Sequence, residues 1–210
     1  MATRFYLDSA GTPTLSPTQT AIWDDKVSAL RRNANNTKGS SALATQIHNF
    51  PGADTNGLAY QFVSAPLAAQ TITGTFSLAL RCNAVSSTEG LGLIIKVMGS
   101  DGITVRGVLF DNFGPPYNLG PIPTTLSSMT TIGQAVASVT ALSGDVICIE
   151  IGDIVSSGGN SSFRIGESSG FDLGATAGET NDYNPWVEFS QTLTFSGGGG
   201  GGGGGGATTF

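Results

Sequence analysis

From Thr71 to Cys82 the chain reads TITGTFSLALRC. Ile72, Phe76, Leu78, Leu80 and Cys82 share one parity, with Gly74 between them, and Thr71, Thr73, Thr75, Ser77 and Arg81 share the other. Successive side chains of a strand point to opposite faces, so this period of two predicts an apolar row inward and hydroxyls outward. Helical spacing would spread the same residues around a whole circumference. An alternation this long predicts a central strand of a half-solvated antiparallel sheet.

The pattern recurs along the chain. Thr3–Leu7 alternates weakly and predicts a first edge strand, and Leu58–Val63 a short strand ahead of Pro66. Leu91, Leu93, Ile95 and Val97 point one way up to Gly99–Ser100–Asp101–Gly102, a hairpin signal, and Ile103, Val105 and Leu109 continue beyond it. Residues 112–123 carry Pro115, Pro116 and Pro121 and are expected as a surface loop. Weaker strands are predicted at 124–131 and 135–140, and a short one at 162–165. Ile147, Ile149 and Ile151 mark a strand over 146–151, and Val187, Phe189, Leu193 and Phe195 a closing strand over 186–195. About eight to ten strands between Gly and Pro turns predict an all-β protein, an antiparallel β-sandwich or jelly roll, with a single-sheet barrel as the alternative.

Between Asp8 and Ser41 the text turns polar. Ser16–Pro17 followed by Ile22, Trp23, Val27 and Leu30 reads either as a capped amphipathic helix or as an extended arm anchored by Trp23. The arm is preferred, with Trp23, Arg31 and Arg32 as contacts to a neighbouring subunit. Residues 1–45 are thus expected as an N-terminal arm, 46–195 as the β domain and 196–210 as a poly-Gly tail. Ten glycines, Gly197–Gly206, precede Ala207–Thr208–Thr209–Phe210. Glycine loses the most backbone entropy on ordering, and such a tether spans roughly 17 Å in solution. Either the tail stays disordered, or Phe210 plugs a neighbouring subunit with the glycines packed as extended backbone.

Charge changes the picture by its scarcity. Charged residues are 11% of the chain, against about 25% in an ordinary domain, while 39% hydrophobic residues suffice for a core. A net charge of −6 with nine Lys and Arg argues against a nucleic-acid partner. The oiliest run, Leu91–Met98, is broken by Gly92 and Lys96 and is too short to insert in a membrane. The opening MATRFYLDSAG lacks the positive head and apolar run of a signal peptide, so the chain is expected to stay in the cytosol or leave by lysis inside a particle. Cys82 and Cys148 fall in predicted strands and are expected as buried free thiols.

Candidate chemistry is sparse. Gly166–Glu167–Ser168–Ser169–Gly170 satisfies G-x-S-x-G, but the text after it is Gly-rich rather than helical, and the single histidine, His48, lies upstream. Glu167, Asp172, Glu179 and Asp182 collect oxygen ligands on one loop, in a spacing that matches no calcium loop and reads as a solvated acidic segment. No catalytic, metal-binding or cofactor-binding residue is assigned. Loops carrying Tyr117, Asp172, Asp182 and Tyr183 are the candidates for contact with a host-surface glycan.

Three phrases carry a resemblance: the opening MATRFYLDSAGTPTLSP with Trp23 behind it, SGDVICIEIG in the middle, and SSFRIGESSGFDL with TNDYNPWVEFSQTLTF near the end. Together they resemble a group of tailed-bacteriophage and prophage proteins of poorly defined function, regarded as virion-associated, over nearly the whole chain up to Phe195. The glycine tail departs from it. The resemblance implies a β-sandwich structural component without catalytic residues. The expected role is a capsid decoration (cement) protein or a tail or fibre component, assembled in the host cytoplasm, whose partners are its own copies and other virion proteins. A carbohydrate-binding, host-attachment module is the alternative.

Overall fold

The computed structural model describes residues 2–26, 29–39, 42–50, 55–85, 89–113, 119–155, 159–167 and 170–197. Its strands are β1 (Thr3–Leu7), β2 (Leu30–Asn35), β3 (Ala44–Phe50), β4 (Thr55–Ser64), β5 (Gln70–Ile72), β6 (Thr75–Ala84), β7 (Gly90–Met98), β8 (Val105–Asp111), β9 (Ser127–Ala135), β10 (Val139–Ala141), β11 (Val146–Val155), β12 (Gly159–Ile165) and β13 (Trp186–Phe189). The protein is all-β, as the periodicity predicts, with no helix among the described residues. One large sheet runs β3-β12-β6-β13-β1-β2-β4-β11-β7-β8, with β9 on β6, and β5 and β10 form a separate ribbon. Every pairing is antiparallel except β2 with β4.

The long alternation of Thr71–Cys82 is cut in two. Gly74 takes φ +94°, a left-handed conformation that breaks the strand, and a Cβ there would lie 2.6 Å from Ser190 Oγ. The larger piece, β6, is a branch point. β9 lines one edge over Thr75–Cys82. The other edge is shared, with β13 on Phe76–Ala79 and β12 on Arg81–Ala84. The sheet then curls back on itself. Phe76 of β6 and Phe110 of β8, far apart in the sheet order, bring their ring centroids to 4.7 Å. Ala137 N–H donates to the Leu109 carbonyl at 2.8 Å, tying β8 to the β9–β10 connection. The enclosed core includes Phe5, Leu7, Phe62, Phe76, Leu80, Ile149, Ile151, Phe163 and Phe189.

The expected N-terminal arm is not one. β1 sits in the middle of the sheet between β13 and β2, rather than at an edge, and β2 lies between β1 and β4. Residues 8–26 are neither helix nor free arm; from Leu15 to Asp25 they form a strap over the outer face of β4, β11 and β7. Every residue of β7 is buried in consequence. Its inward parity joins the main core, while Ile94 packs outward with Trp23 and Leu58, and Met98 outward with Val63, Val146, Cys148 and the strap's Leu15. Two-faced burial explains why this region reads as a nearly continuous apolar run. Cys82 and Cys148 are free and buried. Burial pushes the Cys82 thiol up to about 12 and raises Cys148 as well, which leaves both inert.

Candidate functional site

Asp172, Asp182 and Tyr183 do share one segment, the connection from β12 to β13, and it lies against the outer side of the branch point. Its carboxylates are engaged by cations on the strands. Arg4 on β1 reaches Asp172 Oδ2 with Nη1 and Glu188 Oε2 with Nε, each at 2.9 Å, and its guanidinium lies 4.2 Å from the Trp186 ring centre. Lys38 Nζ lies 2.6 Å from Asp172 Oδ1, and Tyr6 O–H donates to Asp172 Oδ2 at 3.3 Å. Asp182 accepts from Arg164 Nη1 at 2.9 and 3.1 Å, and from Arg81 Nη1. Tyr183 stacks at 5.4 Å on Phe171 and leans with Tyr6 on Ala79, Leu173 and Trp186. Half-exposed pairs of this kind are worth about 0–1 kcal/mol each. Together they fasten the loop across β1, β6, β12 and β13, and any ligand of these carboxylates has to displace them. Tyr117, Phe210 and Ser168 lie outside the described residues. His48 lies on β3, opposite Ser161 in the register.

Trp23 is 1% exposed, which removes it as a contact to a neighbouring copy. Its indole N–H donates to Glu150 Oε2 at 2.8 Å, and its ring stands edge-on to Phe113 with centroids 4.7 Å apart. Glu150 is 0% and Lys96 2% exposed, and Lys96 Nζ meets Glu150 Oε1 at 2.8 Å. The same ammonium donates to the Thr18 carbonyl and to Thr20 Oγ1, both at 2.8 Å, and Gln61 Nε2 donates to Glu150 Oε1 at 3.0 Å. Arg31 Nε donates to Gln61 Oε1 at 2.6 Å, so this half-buried arginine also serves its own chain. Arg32 Nη1 turns back to the Arg31 carbonyl at 2.9 Å. A buried ion pair persists only when further hydrogen bonds satisfy it, as here. Its role is to rivet the strap to the sheet. Sequence reading missed the pair, although Lys96 in LGLIIKVM and Glu150 in VICIEIG, each isolated in apolar text, are its signal.

A second buried acid lies on the inner face at one end of the core. Asp153 is 0% exposed; Ser161 Oγ on β12 donates to its Oδ2, and its Oδ1 has no hydrogen-bond partner among the described residues. Burial foremost, and the nearby Glu89 carboxylate after it, push Asp153 up to about 8, against the pull of the Ser161 hydrogen bond. Among the described residues, no three His, Cys, Asp or Glu side chains are placed to hold a metal ion.

Two surface features remain. A cleft of about 280 Å³ opens where β2 ends, with Phe5, Val63 and Phe195 giving apolar walls and Asn33 and Asn36 giving amides. The rim formed by β8 and the turn before it carries Ile103, Val105 and Val108, exposed by 73%, 52% and 42%. Arg106 Nε and the Leu142 N–H share Asp145 Oδ2, at 3.1 and 2.7 Å, which brings the half-exposed Leu142 beside that rim.

No family model matches the sequence, and no curated protein matches it. Solved structures show only a weak likeness to it. A CocE/NonD family hydrolase from Staphylococcus aureus is 13% identical over 92% of this chain and 35% of its own, with a TM-score of 0.33. The structure of the infectious bursal disease virus Gx strain is 14% identical over 70% of this chain and 39% of that one, with a TM-score of 0.29. An aminopeptidase from the marine sediment archaeon Thaumarchaeota archaeon is 10% identical over 90% and 36%, with a TM-score of 0.35. The chain thus spans 35–39% of the length of these proteins. At such scores none of them bears on what this chain does.

Proposed function

We propose that the chain is a non-enzymatic structural component of a tailed-phage virion, either a capsid decoration protein or a tail or fibre component, that works through contacts between copies and with other virion proteins. The observation that supports the reading is the apolar rim of Ile103, Val105, Val108 and Leu142 on an otherwise sparsely charged surface. Several large aliphatic groups left in water on one element make it a candidate interaction surface. The carboxylates of the β12–β13 connection are engaged within the fold, which suits a structural part. Light scattering over a concentration series tests the contact, followed by imaging of the protein on particles. The double substitution Val105→Glu and Val108→Glu is expected to weaken self-association at least tenfold, about 1.4 kcal/mol or more. A chain that stays monomeric at every concentration, with or without the glutamates, removes the rim as support.

A further inference from the structure

The cleft at the end of β2 is walled by segments that are each tied down elsewhere. Leu15 packs with Met98 and Val146, and Asn35 Nδ2 at the end of β2 donates to Asp8 Oδ2 at 2.9 Å. At the end of β4, Ser64 Oγ accepts from the Ile147 N–H at 2.9 Å. The walls are therefore formed before anything enters, as in most small-molecule sites. Phe5 and the half-buried Phe195, with ring centroids 6.1 Å apart, give an apolar side. Thr12, Thr14, Asn33 and Asn36 also line the cleft, and their side chains make no hydrogen bond to any described residue. A Cβ on Gly11 would strike Asn33 Nδ2, so this glycine leaves the amide its place. Among the described residues, no charged side chain lines the cleft.

These features select a ligand. A charged group would leave water there and meet no counter-charge. A purely apolar one would strip water from two amides and two hydroxyls and offer them nothing in return. A neutral polyol answers both sides, because each hydroxyl donates and accepts and so pairs with either atom of an amide or with another hydroxyl. The C–H groups on one face of a sugar ring carry slight positive charge and suit the negative face of a phenyl ring. Size agrees. A cavity of about 150 Å³ holds benzene, so about 280 Å³ takes nearly twice as many heavy atoms, the size of one hexose. We propose that the cleft binds a neutral hexose unit, free or within a glycan. This goes beyond the structural role above. It also puts sugar contact away from the β12–β13 connection, whose Asp172 and Asp182 are engaged by Arg4, Lys38, Arg81 and Arg164.

Titration of the methyl glycosides of D-glucose, D-galactose and D-mannose into the isotope-labelled full chain, followed by NMR, tests it. At least one of them is expected to shift the side-chain amide signals of Asn33 and Asn36 saturably, with a Kd on the order of 1 mM. Asn36→Ala, at an exposed position, is expected to weaken that binding about fivefold, the loss of one net hydrogen bond. Ala65→Trp, at an exposed residue of the lining, is expected to abolish it. The methyl glycoside of glucuronic acid, which carries a carboxylate, is expected to bind roughly fivefold or more weakly than the glucoside. Signals are read residue by residue, so self-association through the β8 rim moves other amides and is told apart. Absence of saturable shifts at Asn33 and Asn36 with all three sugars up to about 50 mM, far above the expected constant, overturns the proposal. So does a glucuronide that binds as tightly as the glucoside, or undiminished affinity in a folded Ala65→Trp chain.

Discussion

Lys96 carries the cost of its own burial only because three partners surround it, Glu150, the Thr18 carbonyl and Thr20, with Gln61 holding Glu150 in turn. Lys96→Met leaves the Glu150 carboxylate buried beside neutral donors. Removing one member of a buried pair costs about 3–5 kcal/mol, and urea unfolding should show a loss of that size. Asp153 behaves in the opposite sense with pH. Its folded-state value, about 8, is above its ordinary 3.8, so the folded chain keeps a proton that the unfolded chain has lost. Stability is therefore full below the ordinary value and falls as pH rises toward the folded one, by at most about 1.4 kcal/mol per pH unit. Asp153→Asn should remove that slope. Urea midpoints at pH 5 and pH 8 decide the matter, since an equal difference between parent and variant at both values would rule out the titration.

At the scale of elements, Gly152 shows how closely β11 and β4 approach at their register shift. A Cβ there would lie 1.8 Å from the Gly57 carbonyl oxygen and 2.8 Å from the Trp23 ring. Gly152→Ala forces a backbone shift and should cost about 3 kcal/mol or more in thermal melts. Gly133→Ala, at φ +65° with nothing within 4 Å, should cost only the roughly 1–2 kcal/mol of a left-handed alanine. Equal losses would show that the close approach is not what matters. The strands themselves were largely legible, because period-two text such as Leu91–Val97 and Ile147–Ile151 reports one buried face wherever the partner lies. What failed is equally physical. β2, with Asn33–Ala34–Asn35, reads as loop text because it is short and its side chains, Ala34 apart, stay half-exposed. β1 reads as an edge because its partner β13 lies some 180 residues away in the chain. Of the predicted contact loop, the acidity was legible at Asp172 and Asp182, but not its neutralisation by Arg4, Arg81 and Arg164. Trp23 looked like an anchor and is one, for the strap and not for a neighbour.

The molecule as a whole is closed by its last strand. β13 bridges β1 to β6, and through β1 and β2 it joins the β6 side of the sheet to β4, β11, β7 and β8. Deleting Trp186–Phe189 should therefore abolish cooperative unfolding in circular dichroism rather than trim a stable fold. A shortened chain that still melts sharply would show that the two parts hold together without the bridge. The same bridge imposes an order in time. A ribosome adds roughly 5–20 residues per second, so after β1 emerges about 10–40 s pass before its main partner exists. During that interval Phe5 and Leu7 lack Val187 and Phe189, their core neighbours on β13. The sheet can close only once Trp186–Phe189 has been made, and until then the first strand waits for its main partner.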